Sequence, residues 1–253
     1  MAGVSTTAEV LRLEAAASAG WPPAETARDD GWLLRVAGGR TRRVNSVQAL
    51  VFASGADVGR AIGRVETWYR ARGLPPCFQI TDRPSPADLD QALAHRGYAR
   101  ISPVAVLTRQ TEGLEAPHGA RIELDTRPTP RVMNAVCDPL WSPEQRRARA
   151  ALFARIRRPL AFATVLDGLH PVSGALCVVD REVAGLFTLR TANAARGRGH
   201  ARAVVQRLGA WARGMGAKLL FQQIEEANDP ALGLARQLGF ERRYGYWYRE
   251  LPA

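Results

Sequence analysis

Residues Val183 to Leu238 constrain this chain more than any other segment. Val183-Ala184-Gly185-Leu186-Phe187-Thr188-Leu189-Arg190-Thr191 reads as a short strand, and a helix is predicted from about Ala201 to Ala212. Between them lies the turn Ala195-Arg196-Gly197-Arg198-Gly199-His200-Ala201, with two glycines and no acid. Such a turn points several backbone N–H groups at one spot, with the positive end of the helix behind it. That arrangement suits a phosphate or pyrophosphate. Glycine matters because a Cβ would obstruct the close approach of an anion to the backbone.

The next strand, Lys218-Leu219-Leu220-Phe221-Gln222-Gln223-Ile224, is followed by Asn228-Asp229-Pro230-Ala231, a helix, and Leu238-Gly239-Phe240. Arg196, Gly199 and Ala201 fit an Arg-x-x-Gly-x-Gly/Ala pattern. In order and spacing, these elements resemble the second half of the GNAT superfamily of N-acetyltransferases. The alternative is an ordinary strand-turn-helix with a glycine turn.

A repeat lies beneath this pattern. Trp68-Tyr69-Arg70-Ala71-Arg72-Gly73 closes a predicted helix, Asp57 to Arg72, and leads into Cys77-Phe78-Gln79-Ile80. Trp211-Ala212-Arg213-Gly214-Met215-Gly216 does the same before Leu220-Phe221-Gln222-Gln223, at a constant spacing of 143. Further on, Arg96-Gly97-Tyr98 matches Leu238-Gly239-Phe240 at a spacing of 142. Coincident offsets of this kind indicate two copies of one supersecondary unit. At a spacing of 143 the phosphate turn maps onto Ala53-Ser54-Gly55-Ala56-Asp57-Val58, where Ala53 and Ala56 replace Arg196 and Gly199. Asp57 adds negative charge there, so the first copy is not expected to bind an anion.

The remaining chain fits two such units. Residues 5–18 form an amphipathic helix, and Gly31 to Val36 and Arg43 to Phe52 read as strands around a Gly38-Gly39 turn. Residues 85–96 form a helix, and Ala99 to Thr108 a closing strand. Residues 111–119, including His118, read as a polar linker, and a strand from Arg121 to Leu124 opens the second unit. Pro130 to Arg158 is mostly helical, broken near Pro139 and Pro143. Antiparallel strands follow at Leu160 to Val165, Pro171 to Val179 and Val183 to Thr191, with Asp167-Gly168 and Asp180-Arg181 in the turns.

Composition narrows the partners. With 46% hydrophobic residues over 253 positions, the chain has ample material for a folded core. No apolar stretch approaches the ~20 residues needed to span a bilayer. Glu9, Arg12 and Glu14 make the first 20 residues a poor signal peptide, so a cytoplasmic location is expected. Cys77, Cys137 and Cys177 are far apart, as are His95, His118, His170 and His200, so neither a disulfide framework nor a metal site is suggested. Only Lys218 is lysine, and the net charge of +11 is concentrated in the second half, at +9 for residues 120–253. This favours a polyanionic small ligand such as coenzyme A over nucleic acid, for which no recognised motif is present.

The resemblance implies an α/β fold with a mixed α+β sheet. It would comprise two tandem GNAT-like domains, 1–110 degenerate and 120–253 acetyl-CoA-binding, each a mostly antiparallel sheet flanked by helices with a splayed parallel strand pair. It also implies acetyl transfer from acetyl-CoA to a small-molecule or peptide amine, by direct attack and without a metal, in a monomer or homodimer. The pantetheine arm would lie against the strand, with Leu189, Arg190 and Thr191 at the contact and a backbone N–H polarising the thioester carbonyl. The pyrophosphate would sit on Arg196, Gly197, Arg198, Gly199, His200 and Ala201. Asn228 matches the family's asparagine after the next strand, which contacts the cofactor arm or an ordered water; a helix cap is its simpler explanation.

Catalytic groups are less legible. Glu225 and Glu226 end the fifth strand where it should leave the fourth, and Glu225 shares strand parity with Gln223, making it the candidate base. A solvated carboxylate is the alternative. The family frequently places a tyrosine four residues before Gly239 to protonate the leaving thiolate, but Ala235 stands there. Tyr244, Tyr246 and Tyr248 on the last strand can substitute, with Tyr246 the candidate, or serve as packing aromatics at period-two spacing. The arginines of 145–158 read as a solvated face or, if functional, as a preference for an acidic acceptor. A non-catalytic acyl-CoA-binding or sensor protein is the competing reading, and a basic nucleic-acid-binding protein a third.

Overall fold

The computed structural model describes residues 6–39, 41–116 and 121–252. Residues 117–120 of the expected linker, with His118, lie outside that set. The first half runs α1 (Thr7–Gly20), β1 (Glu25–Asp29), β2 (Trp32–Val36), β3 (Val47–Gln48), α2 (Val58–Arg70), β4 (Cys77–Thr81), α3 (Leu89–His95) and β5 (Ala99–Gln110). The second runs β6 (Ile122–Asp125), α4 (Pro130–Val136), α5 (Pro143–Ala154), β7 (Leu160–Asp167), β8 (His170–Asp180), β9 (Val183–Thr191), α6 (His200–Gly214), β10 (Leu219–Glu225), α7 (Asp229–Gln237) and β11 (Glu241–Glu250).

All strands join one mixed sheet in the order β1-β2-β3-β4-β11-β5-β10-β9-β8-β7-β6. The repeat is visible in it, because β3 runs parallel to β4 as β9 runs parallel to β10, with helices α2 and α6 as the crossovers. The two copies exchange their final strands. β5 from the first copy pairs with β10 of the second, while β11 from the second copy pairs with β4 of the first. Residues 43–52 depart from expectation: only Val47–Gln48 is strand, preceded by a single 3-10 turn at Arg42–Val44. β1, which pairs with β2 through a turn at Asp30-Gly31, carried no sequence signal.

Helices cover both faces. α2 and α3 bury Ile62, Val65, Leu89 and Leu93 with Trp32, Phe78 and Ile80 of the first copy. α6 and α7 bury Val204, Val205, Leu208 and Ala235 with Leu186, Leu220 and Ile224 of the second. The opposite face carries α1, α4 and α5, with Leu13, Val132 and Phe153 against Phe162, Leu176 and Phe187. α1 therefore packs on β8 and β9, strands of the other copy. Its start is fixed by Thr6, whose hydroxyl accepts from the Glu9 N–H at 3.2 Å. α5 opens on a capping box, Ser142 with Gln145.

Glu14 of α1 is 1% exposed at the middle of the sheet. Its carboxylate accepts hydrogen bonds from Gln48 and Gln79 (both 2.8 Å), Gln223 (3.2 Å) and the Tyr244 hydroxyl (2.7 Å). Gln79 in turn accepts from the buried Arg35 guanidinium at 2.7 Å. An amide thus bridges two buried opposite charges that do not touch. Every donor aimed at Glu14 is satisfied, which is the condition for burying a charge at tolerable cost.

Candidate active site

β9 and β10 separate where the family resemblance requires. Their parallel register ends at Leu186 with Gln222, after which β10 continues only against β5 and β9 only against β8. The β10-facing edge of Phe187 to Thr191, including Leu189, Arg190 and Thr191, is left without a strand partner. A register shift against β8 marks a bulge at this point, and Thr188 within it has φ +56°. A second bulge interrupts β5 opposite Tyr246 and Tyr248, with Ser102 at φ +47°. Bulges of this kind turn side chains and backbone groups out of the ladder, and they cluster beside active sites.

A cavity of about 370 Å³ opens between the two bulges. Its walls include Thr188 of β9, Gln223 and Glu225 of β10, Ser102 of β5, and Tyr246 and Tyr248 of β11. Trp21, Arg43 and Arg149 close the other side. The structure therefore brings together both candidate catalytic residues, Glu225 and Tyr246. Glu225 is exposed, with no side-chain hydrogen bond or ion pair among the described residues, whereas Glu226 is held by Arg242 at 2.8 Å. Tyr246 is 1% exposed. Burial pushes its phenol pKa up, partly opposed by the neighbouring Arg43 guanidinium, so the hydroxyl carries its proton at neutral pH.

The glycine turn stands beyond the C-terminal end of β9. Gly197 and Gly199 have φ of +77° and +79°, the left-handed region in which other residues are strained. Gly199 is the N-cap of α6 and supplies no side chain to the first turn. The N–H groups from Gly197 to Arg202 find no acceptor among the described residues outside the helix. Arg196 is exposed and makes no ion pair there, while Arg198 reaches Asp167 at 3.1 Å. His200, the first residue of α6, has a buried Nε2 without a partner. Free N–H groups, a helix N-terminus and an unpaired guanidinium fit the pyrophosphate of a coenzyme A thioester. Asn228 caps α7, its side-chain oxygen accepting from the Ala231 N–H at 3.2 Å.

The first copy differs in two ways. The helix starts of α2 and α6 are 142 residues apart, so the counterpart of Gly199 is Asp57 rather than Ala56. The Asp57 carboxylate accepts from the Arg60 N–H at 3.0 Å, and the backbone hydrogen bonds hold its pKa below the usual carboxylate range. An anion is already in place. The β3/β4 divergence is also occupied, since the Ser85 N–H donates to Ala49 and the Trp32 indole donates to the Ser85 carbonyl at 2.7 Å.

Comparison with known proteins decides the family. A family model described as "Probable histone acetyltransferase Rv0428c C-terminal" matches residues 7–249. The chain belongs to this family of GNAT acetyltransferases. It is an acyltransferase enzyme with a tandem GNAT architecture. It is 26% identical over 249 residues, 95% of this chain and 98% of the relative, to "Uncharacterized N-acetyltransferase YobR" of Bacillus subtilis (strain 168). Its fold is similar to a GCN5-related N-acetyltransferase from Kribbella flavida, at 15% identity and TM-score 0.69, covering 96% of this chain and 95% of that one. It is also similar to a tandem GNAT protein from the clavulanic acid biosynthesis pathway, at 16% identity and TM-score 0.64, covering 99% and 91%.

Sequence reasoning missed several residues of the cavity wall. Trp21, Arg43 and Thr188 come from a loop, a 3-10 turn and a bulge, none with a local pattern that announces a site. Ala235, where the family's tyrosine is common, is buried in the α6/α7 core. No helix among the described residues is long and apolar enough to cross a membrane, and none of those residues form a metal-holding group of His, Cys, Asp or Glu.

Proposed function

We propose that this enzyme moves an acetyl group from acetyl-CoA to a primary amine within a ternary complex, using the copy formed by residues 120–253. Acetyl-CoA supplies the activated acyl group. The open edge of Phe187 to Thr191 takes the pantetheine arm through backbone hydrogen bonds, and the Arg196–Ala201 turn takes the pyrophosphate. Glu225 accepts a proton from the acceptor ammonium, freeing a lone pair. As nitrogen bonds to the carbonyl carbon and the carbon–sulfur bond breaks, Tyr246 donates its proton to the departing sulfur, and the surplus proton on the acylated nitrogen leaves to give the neutral amide and restore the phenol. The carrying observation is that Glu225 and Tyr246 line one cavity beside the β9/β10 divergence.

The test is steady-state acetyl-CoA consumption over a panel of amines, with calorimetry for coenzyme A. Turnover on at least one amine, with one coenzyme A bound per chain, is expected. The buried Ala235 favours a second reading, a non-catalytic acyl-CoA-binding protein. Coenzyme A binding without turnover on any amine supports that alternative.

A further inference from the structure

We propose that Arg43 and Arg149 form an oxyanion subsite, and that the amine accepted by this enzyme carries a carboxylate or phosphate group. The inference rests on the acetyl-transfer reading and specifies its acceptor.

Fifteen of the 33 arginines at described positions pair with an acid. Arg42 pairs with Glu250, Arg64 with Asp29 and Arg249 with Asp90, all within 2.9 Å. Arg43 and Arg149 form no ion pair among the described residues, although both line the cavity that holds Glu225 and Tyr246. Arg149 is instead sandwiched between aromatic rings, 4.5 Å from Trp21 and 4.7 Å from Trp141. Arg43 stands 5.8 Å from the same Trp21 ring and 5.9 Å from Phe187. Both guanidiniums thus stand beside the Trp21 ring and line one cavity. Burial, and then the like charge of Arg43, pull the Arg149 pKa down to about 10, which still leaves it charged at neutral pH. Two guanidiniums without an ion-pair partner among the described residues are favourable for an incoming anion; Arg43 is held charged against burial by Tyr246, Tyr248 and Glu14 rather than by an ion pair.

Four of the residues lining this cavity carry a buried polar atom without a partner among the described residues, and the chemistry of these atoms divides by type. Trp21 Nε1 and Arg43 Nε are donors with no acceptor. Trp21 is only 3% exposed, so solvent does not serve it. Gln223 Oε1 and Thr188 Oγ1 can accept. An oxyanion in this cavity meets the guanidiniums of Arg43 and Arg149, and the ammonium of the same molecule meets Glu225. The residues of the Arg196–Ala201 turn do not line this cavity, so the pair is not the pyrophosphate site. A second cavity of about 250 Å³ shares Thr41 and Arg149 with the first and gives room for the remainder of a small acceptor.

The experiment compares matched amines on the full chain: amino acids against their carboxamides, and phosphoethanolamine against ethanolamine. The anionic member of one pair should have the larger kcat/KM, by about 10²-fold for two charge-assisted hydrogen bonds, and the pair that shows it identifies the oxyanion. Arg149→Met and Arg43→Gln should each reduce that ratio at least tenfold through KM, with coenzyme A affinity unchanged and melting temperatures confirming that the variants fold. Equal rates on charged and neutral amines, or a ratio that survives in both variants, would overturn the proposal. Calorimetric binding of the same amine pairs without acetyl-CoA separates this result from the acetyl-transfer reading. Preferential binding of the anionic amine, lost in Arg149→Met, supports the subsite even if no turnover is found; no preference in binding overturns it.

Discussion

Glu225 and Tyr246 are both register partners of Val104, one on each side of β5. Directly opposed residues share a sheet face, so the two side chains stand on the same side. They are two strand spacings apart, roughly 10 Å at about 4.8 Å per strand. That gap suits a base and an acid working on opposite sides of a reacting carbonyl rather than hydrogen-bonding to each other. It exists only because β5, from the first copy, lies between β10 and β11 of the second.

Removing the base while keeping its shape tests the first half of this arrangement. Glu225→Gln should lower kcat/KM by ~10²–10⁴-fold, with acetyl-CoA affinity little changed. Activity equal to the wild type across the pH range would exclude Glu225 as the base, and Glu226, tied to Arg242, would be the next candidate.

Tyr246→Phe should act on kcat rather than on binding. Coenzyme A thiolate is a tolerable leaving group, so a loss near the lower end of the usual range for acid catalysis, about 10²-fold, is expected. A rise in KM with kcat intact would assign Tyr246 to packing around Arg43 instead.

The two copies make a stoichiometric prediction. One coenzyme A should bind per chain, at Arg196–Ala201. Gly199→Asp installs in the second copy the cap that Asp57 provides in the first, and should abolish binding, whereas Asp57→Gly should not create a second site because the β3/β4 divergence remains filled. At about 100 times its dissociation constant the ligand adds ~2.7 kcal/mol, a melting shift of roughly 5–10 °C for a chain of this size. Calorimetry showing two sites, or a thermal shift that survives Gly199→Asp, contradicts the assignment.

Alkaline pH should unfold the protein in a definite window. All three cysteines and all five tyrosines have pKa values raised, with burial the leading cause. Their stabilisation is complete below the unfolded values, about 8.5 for thiols and 10 for phenols. It is lost above them, because the unfolded chain releases protons that the folded one retains. Each fully ionising group contributes a slope of about 1.4 kcal/mol per pH unit. Melting temperatures measured from pH 8 to 11 should fall ever more steeply, and a flat profile would refute this.

Much of the second copy was legible because its signals are local. Strand β9 has the expected limits, Val183 and Thr191, and the turn glycines adopt the conformations that only glycine takes easily. The same holds for the broken helical region, where Pro130 and Pro143 each occupy a first turn. Other features depend on comparisons between distant segments. Ala99–Gln110 reads as a strand beside either copy's neighbours, and nothing in its sequence says that it will sit against β10. Asp57 was displaced by one position because a constant offset cannot register a one-residue change of loop length. The cavity wall joins residues 21, 43, 149 and 188, which share no helix or strand.

The exchanged strands also set an order of assembly. Until residues 241–250 are synthesised, β4 and β5 each present an open hydrogen-bonding edge toward the place that β11 will fill. Exposed edges are templates for pairing with other chains, and contacts this distant in sequence form slowly. A nascent chain halted before Glu241 would hold the Arg196–Ala201 turn and Glu225 but lack Tyr246. The proposed pairing of Glu225 with Tyr246 therefore requires the last strand, which joins the sheets of both copies.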